Sequence, residues 1–121
     1  MSQGELYKRY ASRQDITVAQ VSGFRLNDTV RVDVVLMVAD NEGSWQRLKK
    51  EFKIKGQEGV ESWLGDTKQP AQRVKWSGAP VLRAVASHSR RTLAFYRLDT
   101  ETQYDALLDY QLENIKNKNE K

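Results

Sequence analysis

Proton transfer and anion recognition near neutral pH draw most often on histidine, and this chain has one, His88. It stands between Ser87 and Ser89, with Arg90 and Arg91 directly after it. Hydroxyls and guanidinium forks beside an imidazole are the equipment of an oxyanion-binding loop. The hydroxyls donate, and an arginine meets a carboxylate or phosphate with two parallel N–H bonds. The same residue types also make an ordinary polar turn whose arginines keep a sheet edge soluble, and such turns are common. Ser87 and His88 do not read as a nucleophile–base dyad, because adjacent residues on a strand point to opposite faces.

A second basic group, Arg47, Lys49, Lys50, Lys53 and Lys55, has the spacing of one helix surface and would suit a phosphate backbone. Trp45, Leu48 and Phe52 occupy the other side of that helix, so the cations also fit a solvated face. Trp63 and Trp76 would stack bases or line a groove if exposed, and Trp76, between Val74 and Gly78, is the tryptophan the core has least claim on. The densest acidic set is Asp99, Glu101, Asp105 and Asp109. Its spacing fits a helix N-terminus and not a calcium loop, so no metal is expected. Gly56, Gly59 and Gly65 are scattered without phosphate-loop or dinucleotide spacing, and no nucleophile-elbow or Ser-x-x-Lys signature occurs. No cofactor is implied. An enzyme would have to work with carboxylates such as Asp40 or Asp99 in a cleft.

These residues must be positioned by a single folded unit. A chain of 121 residues with 39% hydrophobic content, three tryptophans and two prolines builds one core without staples. It contains no cysteine, which excludes disulfides, thiolate metal sites and cysteine nucleophiles. The net charge is +4, and residues 116–121, with Lys116, Lys118 and Lys121 against Glu120, carry half of that excess. The rest is nearly balanced, so nucleic acid is a partner allowed by charge but not favoured. No apolar run approaches the ~20 residues that span a bilayer.

The element pattern begins with a helix over Ser2–Arg13, where Ser2 and Glu5 form a capping box and Leu6, Tyr7 and Tyr10 share a face. A strand follows over Ile16–Leu26 with Gly23 as a bulge position, then a two-residue turn at Asn27-Asp28. Thr29–Asp40 reads as the best strand. Val30, Val32, Val34, Leu36 and Val38 point one way, and Arg31, Asp33, Val35, Met37 and Ala39 the other, so its second half is apolar on both faces. Ser44 is a candidate N-cap for a helix reaching about Lys53, and Val60–Leu64 fits a short helical turn. Strands are expected at Val81–Ser87 and Thr92–Leu98, joined by a turn over His88–Arg91. A last helix starts at Thr100, capped by Gln103, with Tyr104, Leu107, Leu108, Leu112 and Ile115 as its buried stripe.

Each half thus reads strand, turn, strand, acidic break, helix. Two ββα-like units predict an α+β two-layer sandwich, a four-stranded and mostly antiparallel sheet with helices on one face. Residues 1–115 form the domain and 116–121 a polar, basic tail.

The stretch Ala84–Tyr96, the helix segment Gln103–Leu108, the strand Val34–Ala39, Ser44-Trp45 and Lys50-Glu51-Phe52 together resemble a group of small proteins from gut Bacteroidetes, many of them exported. The resemblance spans about half the chain and implies no particular activity. It implies a periplasmic or secreted setting, with Met1 standing where a removed export signal ended. Without that signal, the setting would be cytoplasmic.

Together these readings point to binding and not to chemistry: a small interaction module, envelope-associated, for a protein or small ligand. Its expected surface joins Trp76 and the Trp63–Trp76 connection to His88, Arg90 and Arg91. The rival surface, for a polyanion, is Arg47, Lys49, Lys50 and Lys53.

Overall fold

The structure is a computed structural model that describes residues 3–52, 54, 60–64, 67–69 and 81–119, with backbone alone at 60–64, 67–69, 81 and 112–119. In chain order the elements are α1 (Gln3–Ala11), β1 (Ile16–Arg25), β2 (Arg31–Ala39), α2 (Glu42–Glu51), β3 (Val60–Leu64), β4 (Thr67–Gln69), β5 (Val81–Ser87), β6 (Thr92–Leu98) and α3 (Glu101–Asn119). The strands form one antiparallel sheet in the order β1-β2-β6-β5-β3-β4. Four of these strands, β1-β2-β6-β5, are the four-stranded antiparallel unit expected from the two hairpins. The fold is α+β, with its helices packed against that sheet.

The alternation along β2 explains why it lies inside. Val32 and Val34 are buried with β6 residues Ala94, Tyr96 and Leu98 and with Tyr104, Leu107 and Leu108 of α3. Val35, Met37 and Ala39 are buried on the other face, with Leu93 and Phe95 of β6, Leu6 and Tyr10 of α1, and Trp45 and Leu48 of α2. Successive residues of a strand point to opposite faces, so α1 and α2 cover one side and α3 the other. Two features of the expected architecture are corrected here. The helices do not share one face, and the described residues build three layers rather than two. A strand apolar on both faces cannot leave either one in water, and the doubly apolar end of β2 is the physical cause.

The sheet is also wider than four strands. Val60–Leu64, expected as a helical turn, is β3, paired with β5 through Val60↔Ser87 and Trp63↔Ala84. Five residues are too few for periodicity to separate helix from strand, and pairing with an open neighbour decides the outcome. β4 then pairs with β3 and extends the same edge.

Local chemistry accounts for the other boundaries. In β1 the register slips between Val21 (opposite Val34) and Phe24 (opposite Val32). Three residues on β1 therefore match two on β2, a bulge that takes up one residue and keeps Val21 and Phe24 on the α3 side. Gly23 sits there at φ +68, a region costly for a residue with Cβ. The β1–β2 connection is longer than the expected Asn27-Asp28 turn. Residues 26–30 lie between the paired Arg25 and Arg31, and Asn27 Oδ1 accepts from the Thr29 and Val30 amides, both at 2.9 Å.

Helix α2 is capped by Asn41, whose Oδ1 accepts the Ser44 amide at 2.9 Å. Ser44, expected as the cap, is instead wholly buried in the first turn. Helix α3 has the capping box foreseen at Thr100 and Gln103: the Gln103 amide donates to Thr100 Oγ1, and Gln103 Oε1 accepts the Thr100 amide. Gln103 also donates to the Arg31 carbonyl at 3.0 Å, which ties the start of α3 to the start of β2. In α1, Leu6 and Tyr10 are buried, while Tyr7 stays exposed. Ser2, the expected cap of α1, lies outside the described residues. The α3 backbone stays helical through Asn119, so most of the expected tail continues that helix.

Candidate functional site

The β5–β6 hairpin turns over His88–Arg91, as its composition predicted, and the flanking pair Ser87↔Thr92 fixes its width. Arg91 closes the turn at φ 54, the left-handed region, where a residue with Cβ is held at a cost of about 1–2 kcal/mol. Two backbone bonds hold it there. Its amide donates to the His88 carbonyl at 3.3 Å, and its own carbonyl accepts the Ala39 amide at 2.9 Å. The second bond fastens the turn to the end of β2, from which α2 departs.

Trp45, in the first turns of α2, is 1% exposed, and its ring meets the His88 ring edge-on at 5.6 Å between centroids and 75° between planes. His88 and Arg91 are half-buried, and Arg90 is exposed. The Trp45 indole nitrogen and Arg91 Nε are both shielded from solvent and have no hydrogen-bond partner among the described residues. A buried donor without an acceptor costs about 1–3 kcal/mol.

The start of β1 reaches the same end of the sheet, where the Asp40 amide donates to the Asp15 carbonyl. Asp15 is clasped by two arginines. Arg13 donates to both carboxylate oxygens at 3.2 and 3.1 Å, and Arg47 donates at 3.2 Å. Arg13 also pairs with Glu51 at 2.6 Å, and Arg47 donates to Ser44 Oγ at 3.2 Å. The Arg13 guanidinium, seconded by Arg47, holds the Asp15 carboxyl well below the usual carboxylate range. A carboxyl depressed in the folded state stabilises the fold above its unfolded pKa and loses that contribution as pH falls through that range. Asp15→Asn should therefore lower stability at neutral pH and flatten the acid limb below about pH 4, the two proteins converging in strong acid. Urea denaturation across that range reads the difference. Parallel curves at all pH values would show that the clasp contributes nothing.

The expected residues are thus brought together in part. His88, Arg90 and Arg91 share one turn, joined by Trp45, which had been read only as a core anchor. Trp76 lies outside the described residues, as does the side chain of Trp63, so the wider surface expected across that connection is not described. Of the rival polyanion group, Arg47 is engaged by Asp15 and Ser44, Lys49 is half-buried and Lys50 exposed; Lys53 and Lys55 lie outside the described residues. Asp40 and Asp99 follow the ends of two antiparallel neighbours, β2 and β6, and so stand at opposite ends of the sheet, too far apart to act as a pair. Asp99 accepts from Arg97 Nε at 3.0 Å. Among the described residues no three potential ligands gather as a metal site would require, and no described helix is long and apolar enough to cross a membrane.

On the opposite face lies a polar group that sequence reading missed. Arg83 of β5 is wholly buried beneath α3. It donates to the Tyr104 hydroxyl at 2.7 Å, and its guanidinium carbon lies 5.2 Å from the Tyr104 ring centroid. Burial draws its pKa down, and the Tyr104 contact opposes that shift. Nearby, burial and the adjacent Tyr110 push the Tyr96 hydroxyl up to about 12. A charged residue inside an apolar strand carries no sequence signal of its partner, because 21 positions separate Arg83 from Tyr104.

Comparison with protein-family models, with curated proteins and with solved structures gave no match.

Proposed function

We propose that the protein is a binding module, not a catalyst, and that its partner docks where the His88–Arg91 turn meets the start of α2. The observation that carries this reading is Arg91. Its backbone is held in a region that glycine or asparagine occupies at less cost, and its half-buried Nε has no acceptor among the described residues. A left-handed backbone and an unmet side-chain donor meet at one residue, and the two backbone bonds offset only the first, which points to a partner for the second. His88 beside it supplies a half-buried aromatic ring packed on Trp45, and Arg90 supplies an exposed fork. An exported, envelope-associated setting is the one suggested by the resemblance to small Bacteroidetes proteins. Polyanion binding through Arg47, Lys49 and Lys50 is less well supported, because Arg47 is already engaged by Asp15.

The test is selection from a phage-displayed library of random peptides, with wild type and the Arg90→Ala/Arg91→Gly variant as targets. Glycine keeps the left-handed turn, so the relief of strain roughly offsets glycine's entropic cost of about 0.5–1 kcal/mol, and the melting temperature should hold. Wild type should enrich peptides that bind the variant at least about tenfold more weakly, a loss of ~1.4 kcal/mol. Peptides that bind both proteins equally would remove the corner as the docking surface.

A further inference from the structure

We infer that the group this corner recognises is an oxyanion, a carboxylate or a phosphate, an inference that rests on the binding reading above. The unmet groups at the corner are all of one kind. An indole N–H and a guanidinium N–H donate and never accept, and the two orphaned buried atoms here are the Trp45 indole nitrogen and Arg91 Nε. Trp45 is 1% exposed and faces the turn through its contact with His88. The one orphaned side-chain acceptor among the described residues, Gln111 Oε1, belongs to α3 and not to the turn or α2. A ligand that satisfies them must therefore bring acceptors.

Charge points the same way. Arg90 and Arg91 lie on the turn, and α2 presents its N-terminal, positive end beside it through Trp45. Asp15, a carboxylate at the same end of the sheet, is held by Arg13 and Arg47 and is not available to the turn arginines as a counterion. Asp40 stands exposed at the same end, so its charge opposes an incoming anion. The indole N–H is shielded from solvent, so an incoming anion meets the arginine forks first.

The test uses ¹⁵N-labelled full-length protein and follows the tryptophan indole and arginine Nε–H signals, Trp45→Phe serving to assign the indole. Four probes are titrated at low salt: sodium phosphate, sodium acetate, a glutamate-rich peptide, and the same peptide with glutamine at every glutamate. The expected result is saturable shifts of the Trp45 and Arg91 signals with at least one oxyanion probe. These should be absent with the glutamine peptide, lost in Arg90→Ala/Arg91→Gly, and strengthened about two- to threefold by Asp40→Asn, which removes a repelling charge. Phosphate alone, acetate alone or the acidic peptide alone would identify the source of the oxyanion. If the glutamine peptide shifts the same signals as well as the glutamate peptide does, the oxyanion inference is wrong and the docking surface stands. If no probe shifts them, the oxyanion inference falls, and the peptide selection decides separately whether the surface does.

Discussion

Aspartate at Val34 and, in a separate protein, aspartate at Val35 should each destabilise the chain severely. The two valines are neighbours on β2, 5% and 0% exposed, and they belong to different apolar clusters, one beneath α3 and one beneath α1 and α2. A carboxylate in either cluster loses its hydration, and the one buried cation among the described residues, Arg83, lies across Tyr96 from Val34 and is already bonded to Tyr104, so the expected cost is at least about 4 kcal/mol. A domain of this kind has only about 5–15 kcal/mol of stability in all, so that loss removes from about a quarter to most of it. The control is Gln20→Asp on the exposed part of β1, where a surface change stays within about 0.5 kcal/mol. Far-UV circular dichroism in urea measures all three. A protein with helices on one face only would tolerate one of the two valine changes, and that outcome would sink the three-layer arrangement.

The second large effect lies at Tyr104. Replacing it with phenylalanine keeps the ring above Arg83 but removes the oxygen that accepts the guanidinium bond at 2.7 Å. A hydrogen bond to a charged group is worth about 1.5–3 kcal/mol, and a fully buried donor that loses its acceptor cannot turn to water instead. Tyr104→Phe should therefore cost about 2 kcal/mol or more. Adding Arg83→Met should cost less in the phenylalanine background than in wild type, because part of what Arg83 contributes in wild type is its bond to the Tyr104 hydroxyl. The coupling in this double-mutant cycle should exceed about 1 kcal/mol, read from urea denaturation midpoints. Coupling near zero would mean that Tyr104 does not hold the guanidinium.

Much of the β5–β6–α3 segment was legible in the sequence. Both strands and the turn end where their alternation ends, and the capping pair at Thr100 and Gln103 forms as read. Those features depend on residues within four positions of one another. The faces of β2 were legible too, for the same reason. What stayed hidden was long-range. Each of the two helices that follow a strand packs on the side to which that strand's last residue points: Ala39 lies with α2, and Leu98 with α3. The β2–β6 register sets these two residues on opposite faces, and nothing local in either strand states that register. For the same reason the echo between the halves is not a structural repeat, since a two-fold axis through the sheet would carry both helices to one face. Of the candidate site, the turn was readable, but the Trp45 ring against His88 brings together residues 43 positions apart, and Asp15 between two arginines depends on where β1 begins.

The bulge in β1 also acts as a ruler. β1 is an outer strand of the sheet, paired on one side with β2, and its register is regular over Ile16–Val21 before it slips. At roughly 3.4 Å per residue, that regular run offers about 20 Å of straight ladder to any strand laid alongside it. Past Val21 the extra residue throws the outward-facing amides and carbonyls out of step, so a neighbouring sheet edge cannot zip along the full strand. A single glycine conformation at Gly23 thereby caps the length of any intermolecular β-ladder this edge can seed, and Gly23→Val would lose the left-handed backbone that keeps the cap in place.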